Sequence, residues 1–155
     1  MKVKEIMTTP VISARATTKT SAVATLLAEH DISAVVITDE RGAVVGVVSE
    51  HDLLARRGDT AGDIMSPGVI SVTPDTDVDD VRFLLVDRRI RRVPVLAGQE
   101  LVGIVSRSDV VRLMVIEWAC EVCGQAVRSA RPPERCEECG AGSERFAQQT
   151  PPPGD

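Results

Sequence analysis

Residues 46–52 read GVVSEHD, and residues 103–109 read GIVSRSD. Each is an apolar, β-branched run that ends in Ser-x-x-Asp. β-branched residues favour strands, and a Ser with an acidic residue three positions on is a helix-start signature. Each stretch therefore predicts a strand giving way to a helix. Their recurrence in one chain predicts an internal repeat.

Matching extends outward from both stretches. Ile6-Met7 returns as Ile64-Met65, and Val11-Ile12-Ser13 returns as Val69-Ile70-Ser71, at an offset of 58. Thr18 meets Thr76, Val23 meets Val81, Leu26-Leu27 meets Leu84-Leu85, Ile32 meets Ile90 and Val35 meets Val93. The offset then drops to 57, so that Val45-Gly46 meets Val102-Gly103, Ser49 meets Ser106 and Asp52 meets Asp109. The slip falls in TDERGA against LAGQE, where a hairpin loop tolerates a change of length. Each copy reads as a short strand (VIS), an amphipathic helix over 21–30 or 78–88, a hairpin, and a second helix over 50–57 or 107–118. Val23, Leu26 and Leu27, like Val81, Leu84 and Leu85, share one helix face. The unit is β-α-β-β-α, and the fold class is α+β. Copies bounded at 1–58 and 59–116 are each too small to bury a core comfortably alone. They are expected to pack as one pseudo-twofold pair.

The bulk composition narrows the function classes. Of 155 residues, 43% are hydrophobic and 26% charged, which suits a globular chain. Trp118, Phe83 and Phe146 are the aromatics and Tyr is absent, so the core must be aliphatic. A net charge of −5 argues against a polyanion binder. No apolar run approaches the ~18 residues of a membrane span, and MKVKEIMTTP has no apolar core of a secretory signal. The expectation is a cytoplasmic protein, where thiols stay reduced. Only two histidines, no nucleophile–base constellation and no Walker-type loop argue against an enzyme.

The sequence of IM-x-x-x-V-I, helix, I-x-x-V-P-V hairpin and h-h-G-h-h-S-x-x-D resembles a CBS domain. The tandem copies resemble a CBS pair, or Bateman module, over about residues 5–114. The resemblance implies a sensor that binds an adenosyl ligand (AMP, ADP, ATP or S-adenosylmethionine) in clefts between the copies and associates as a homodimer. The helix faces 21–30 and 78–88 are the candidate dimer interface.

Ser-x-x-Asp carries two readings. Ser49–Asp52 and Ser106–Asp109 can simply cap helices, a contribution of ~1 kcal/mol each. The same helix start offers free N–H groups to a phosphate, and an ionised Asp can accept both hydroxyls of a ribose, the role that the resemblance implies. Adenine would then lie near Val11-Ile12 or Val69-Ile70. The second copy has Pro94 and the run Arg88, Arg89, Arg91, Arg92, where the first has Val36 and Ser33-Ala34. These arginines suit a helix C-terminus, or Arg92 reaches a phosphate bidentately. The expectation is that they favour the Asp109 site. His51 reads as surface.

The cysteines form a second constellation. Cys120, Cys123, Cys136 and Cys139 follow C-x2-C-x12-C-x2-C, with Gly124 and Gly140 after each pair. Paired knuckles bring four thiolates onto one metal, zinc with iron possible. The segment 117–147 resembles a zinc ribbon or a rubredoxin-like knuckle pair, with Trp118 and Phe146 packed over a small core. So small a domain needs its metal to fold. Six glutamates (117, 121, 134, 137, 138, 144) against four arginines (128, 131, 135, 145) make it acidic, which disfavours nucleic acid and favours an unknown protein target. The alternatives are an iron electron-transfer protein and a transcription-related adaptor. VVRLMVIEWACEVC is expected to run as a helix into the ribbon. QQTPPPGD, 148–155, is expected to be a disordered tail.

Overall fold

Both hairpins form. Strand β1 (Ser13–Arg15), helix α1 (Thr20–His30), hairpin β2 (Ala34–Thr38) with β3 (Val44–Ser49), and helix α2 (Glu50–Ala55) follow the anticipated order in the first copy. A short helix α3 (Ala61–Ile64) leads into α4 (Val78–Asp87) and the hairpin β4 (Arg92–Ala97) with β5 (Glu100–Ser106). These elements lie in one compact unit, Met1–Ser106; a second spans Arg107–Asp155. The computed structural model describes residues 1–129 and 131–149. The fold is α+β.

In the first copy β1 pairs parallel with β2, which pairs antiparallel with β3. Strand β1 starts at Ser13, two residues later than VIS places it. In the second copy VIS forms no strand, and a single parallel bridge joins Val72 to Val95. Pro94 gives the reason. At the matching position Val36 donates its N–H to Ile12 O at 3.4 Å, and proline has no N–H to give. The ladder therefore shortens to Val72 N–H on Pro94 O and Leu96 N–H on Val72 O, at 3.0 and 2.8 Å.

The segments that open the two copies are exchanged. Val3 donates to Thr76 O at 2.9 Å, and Thr8 trades backbone hydrogen bonds with Ile104 at 2.9 and 3.2 Å, so the N-terminus docks on the second copy. Reciprocally, Ala61 N–H reaches Thr18 O at 2.8 Å and Ser66 pairs with Val47 at 2.9 and 3.2 Å. The glycine inside each GVV and GIV run makes room for this. A Cβ on Gly46 would stand 2.6 Å from Met65 Sδ, and one on Gly103 would stand 2.4 Å from Met7 Sδ. The repeated Ile-Met and the repeated glycine are thus two halves of one contact. Ala61 and Ile64 join Val23, Leu27, Val35, Ile37 and Val48 in the first copy's core. Val3 is fully buried, a gain of about 1.5–3 kcal/mol. No helix among the described residues is long and apolar enough to cross a membrane.

In the second unit, helix α5 (Arg107–Leu113) ends well short of the expected 118. Strands β6 (Glu117–Cys120), β7 (Ala126–Arg128) and β8 (Phe146–Gln149) form a sheet in the order β7-β6-β8. The expected continuous helix into the ribbon is therefore wrong. Val115 and Ile116 are β-branched, and Glu117 and Trp118 are claimed by ladder partners on both sides: Arg128 and Val127 on one, Gln149 and Gln148 on the other. The same pairing corrects the tail, since Gln148 and Gln149 are strand residues. Its remainder, 150–155, lies outside the described residues.

Candidate functional site

Ser49 closes β3 and caps α2. Its hydroxyl accepts Asp52 N–H at 3.2 Å and donates to Asp52 Oδ2 at 3.0 Å, which also accepts Ser49 N–H at 2.9 Å. The capping reading is realised here. Asp52 Oδ1 meets Ser66 Oγ at 3.3 Å and Arg56 Nε at 3.6 Å. Asp52 is only 5% exposed, and both of its carboxylate oxygens have partners.

Asp52 also lines a cleft of about 340 Å³. Val47, Ser49 and Asp52 come from the first copy. Ser66, Pro67, Gly68, Val69 and Ile70 come from the crossing segment, and Arg89, Ile90, Arg91 and Arg92 from the corner between α4 and β4. Five of the residues singled out in the sequence therefore meet: Ser49, Asp52, Val69, Ile70 and Arg92. The cleft has an apolar wall, one buried carboxylate and a cationic rim.

Arg92 is half-buried and donates to Ser33 Oγ. Burial lowers its pKa, Arg91 lowers it further, and Glu50 opposes both. Among the described residues it forms no ion pair. Arg89 holds φ +52, a left-handed conformation that glycine adopts most easily. Its counterpart Asp31 has φ +49, so the corner itself demands this conformation in both copies.

The arginine run was expected to serve Asp109, and it lines the Asp52 cleft instead. The cause is the exchange of segments: Ser49 and Asp52 of the first copy face the helix–strand corner Arg89–Arg92 of the second. Ser106 ends β5 opposite Arg92 in the ladder, and Asp109 lies in the first turn of α5, in the second unit. Val11 lines a separate groove of about 520 Å³ with Ser13, Arg15 and Arg41. Ile12 packs against the first copy's core. His51 is exposed. Sequence reading missed Ser66 and Arg56, the partners of Asp52. Ser66 was signalled by Met65, whose match to Gly46 fixes the next residue beside Val47.

The four cysteines come together in the second unit, all Sγ atoms within 4.8 Å of one another. Cys120 lies 3.6 Å from Cys139, and Cys123 3.5 Å from Cys136. A tetrahedral zinc with Zn–S near 2.3 Å sets sulfurs about 3.8 Å apart, so this spacing fits such an ion. The knuckles share one backbone pattern. Gly124 N–H meets Cys120 O and Gly140 N–H meets Cys136 O, both at 2.8 Å. Gly124 and Gly140 hold φ +80 and +75. N–H groups of Cys123 and Val122 pull the Cys120 thiol down to about 7. At Cys123 the pull of the Gln125 N–H is outweighed by desolvation and the adjacent thiols, and the group rises to about 12. Thiols crowded in this way ionise together only around a cation. Phe146, Trp118 and Ala141 pack on buried Cys120 and Cys136.

Comparison with known proteins bears on the repeated copies. The CBS domain model matches residues 3–59 and again 61–116. The chain is 34% identical over 115 residues to L-aspartate semialdehyde sulfurtransferase of Methanocaldococcus jannaschii, covering 72% of this chain and 23% of that protein. The chain covers 62% of the uncharacterized protein MK0525 of Methanopyrus kandleri and 50% of the CBS domain-containing protein CBSX3 of Arabidopsis thaliana. CBSX2 in complex with AMP superposes with a TM-score of 0.67 at 31% identity, over 72% of this chain and 93% of that one. The CBS domain pair of protein MJ0100, in complex with 5-methylthioadenosine and S-adenosyl-L-methionine, gives 0.69 at 33%, over 73% and 94%.

Proposed function

The chain belongs to the CBS-domain family, and from that premise we propose that it is a regulatory sensor holding a phosphorylated adenosine in the Asp52 cleft. The observation that carries this is the cleft's composition, with an apolar wall, a buried carboxylate and arginines drawn from opposite copies. Adenine packs on Val47, Val69 and Ile70. The ribose hydroxyls take the place of Ser66 Oγ on Asp52. The phosphate meets Arg92, with Arg89 and Arg91 at the rim. Relatives bound to AMP and to S-adenosyl-L-methionine support an adenosyl ligand. Charge decides between them. S-adenosylmethionine brings a sulfonium cation toward three guanidinium groups, whereas a phosphate neutralises them. Because the cleft takes its walls from both copies, a bound nucleotide favours one arrangement of the copies over another.

In this reading the cysteine segment is a structural zinc ribbon for contact with a protein partner, and no step of chemistry is assigned to it. Four thiolates leave no open coordination position. The exposed Phe83 and Val86 on α4 are the face for a second copy, which light scattering tests. A thermal-shift panel with AMP, ADP, ATP and S-adenosylmethionine tests the sensor reading. A rise with the phosphorylated ligands alone supports it; no rise with any of the four sinks it.

A further inference from the structure

The cysteine knuckles repeat at an offset of 16. Cys120 meets Cys136, Cys123 meets Cys139, Gly124 meets Gly140 and Gln125 meets Ala141. The backbone repeats with them, since Cys120 N–H reaches Gln125 O at 2.8 Å and Cys136 N–H reaches Ala141 O at 2.7 Å. The side chains break the symmetry. The amide end of Gln125 crosses to the other knuckle and lies 3.2 Å from Cys136 Sγ. Ala141, in the matching place, has no polar group to offer Cys120.

Cys136 is 2% exposed, so water contributes little to solvating its sulfur. An amide carries an acceptor oxygen and a donor NH₂ on one rotor. A protonated thiol gives its hydrogen to Oε1. A metal-bound thiolate has only lone pairs, and the same amide turned by half a revolution gives it Nε2–H. Outer hydrogen bonds of this kind fix a ligand's orientation and stabilise its charge.

We infer that Gln125 is a positioning residue of the four-cysteine centre, donating across the knuckles to the Cys136 thiolate and raising the centre's affinity for its metal. This rests on reading the cysteines as a metal centre. The test uses the full chain, Gln125→Leu and Gln125→Glu, with zinc affinity measured by competition against a chromogenic chelator. The thiolate-to-metal charge-transfer band is read on the cobalt(II) forms at saturating metal. Gln125→Leu is expected to bind zinc about 10-fold more weakly and to move the band to lower energy, because an unbonded sulfur lone pair lies higher. Gln125→Glu is expected to weaken binding further, since a carboxylate adds charge and has no donor. Affinity within twofold of wild type overturns the inference. So does weaker affinity with an unmoved band, which would mark Gln125 as a packing residue only. Wild type that takes up no zinc and shows no cobalt band overturns the metal reading itself, a separate result.

Discussion

Replacing Arg92 with alanine separates folding from ligand binding, because the two respond with different magnitudes. In the free protein Arg92 is a half-buried cation beside Arg91, with one hydrogen bond to Ser33 and no ion pair among the described residues. Losing that bond costs about 0.5–1.5 kcal/mol, and removing a desolvated charge from beside another arginine offsets part of it. The net change is within about 1 kcal/mol, or about 4–8 °C in Tm for a unit of this size. In the proposed complex the same guanidinium makes charge-assisted bonds to phosphate worth about 1.5–3 kcal/mol. Arg92→Ala is therefore expected to weaken Kd by about 10- to 150-fold while Tm shifts by no more than about 4–8 °C. Calorimetric titration with AMP and ATP, beside a melt of the free protein, reads both quantities. Arg92→Lys keeps the charge but loses the planar fork, and is expected to fall between. Unchanged affinity in Arg92→Ala would refute the phosphate role. A collapse of the melt would show that Arg92 serves the fold.

The other expectations follow from individual contacts. Gly46→Ala puts a Cβ 2.6 Å from Met65 Sδ and should destabilise by about 1–3 kcal/mol. Met65→Ala in the same chain should recover part of that, and a strictly additive double mutant in denaturant melts would count against the exchange contact. Arg89→Gly removes the left-handed penalty at φ +52; the melt should hold or rise by about 1 kcal/mol while nucleotide affinity falls. Chelation of metal should melt the cysteine segment, seen as loss of Trp118 fluorescence structure, and leave the Met1–Ser106 transition in place. A single transition lost in both units on chelation would contradict that independence.

The repeat was legible because its constraints are local: the strand-to-cap junctions at Ser49 and Ser106, the helix faces of Val23 and Val81, the glycine in each hairpin. The cysteine cluster was legible because C-x-x-C spacing already places two sulfurs together. What was misread depended on partners far away in sequence. No glycine or proline separates Trp118 from the helix that starts at Arg107, so the strand shows only through the ladder with Val127 and Gln148 that its β-branched neighbours favour. The arginines sit before Asp109 in sequence, yet the exchange of segments delivers Arg92 to the cleft of Asp52. Pro94 was noted as a difference between copies; that it removes a ladder bond follows only once Val36 N–H is seen on Ile12 O. The partnership of Ser66 with Asp52 has a sequence separation of 14 and no motif of its own.

The most direct measurement is methyl NMR of the labelled protein titrated with AMP. Binding in the Asp52 cleft requires the largest shifts at Val47, Val69 and Ile70, with their loss in Arg92→Ala at the same ligand concentration. Shifts centred on Val11 and Ile12 instead, or no saturable shift at any of these methyls, would contradict the assignment of the nucleotide to that cleft.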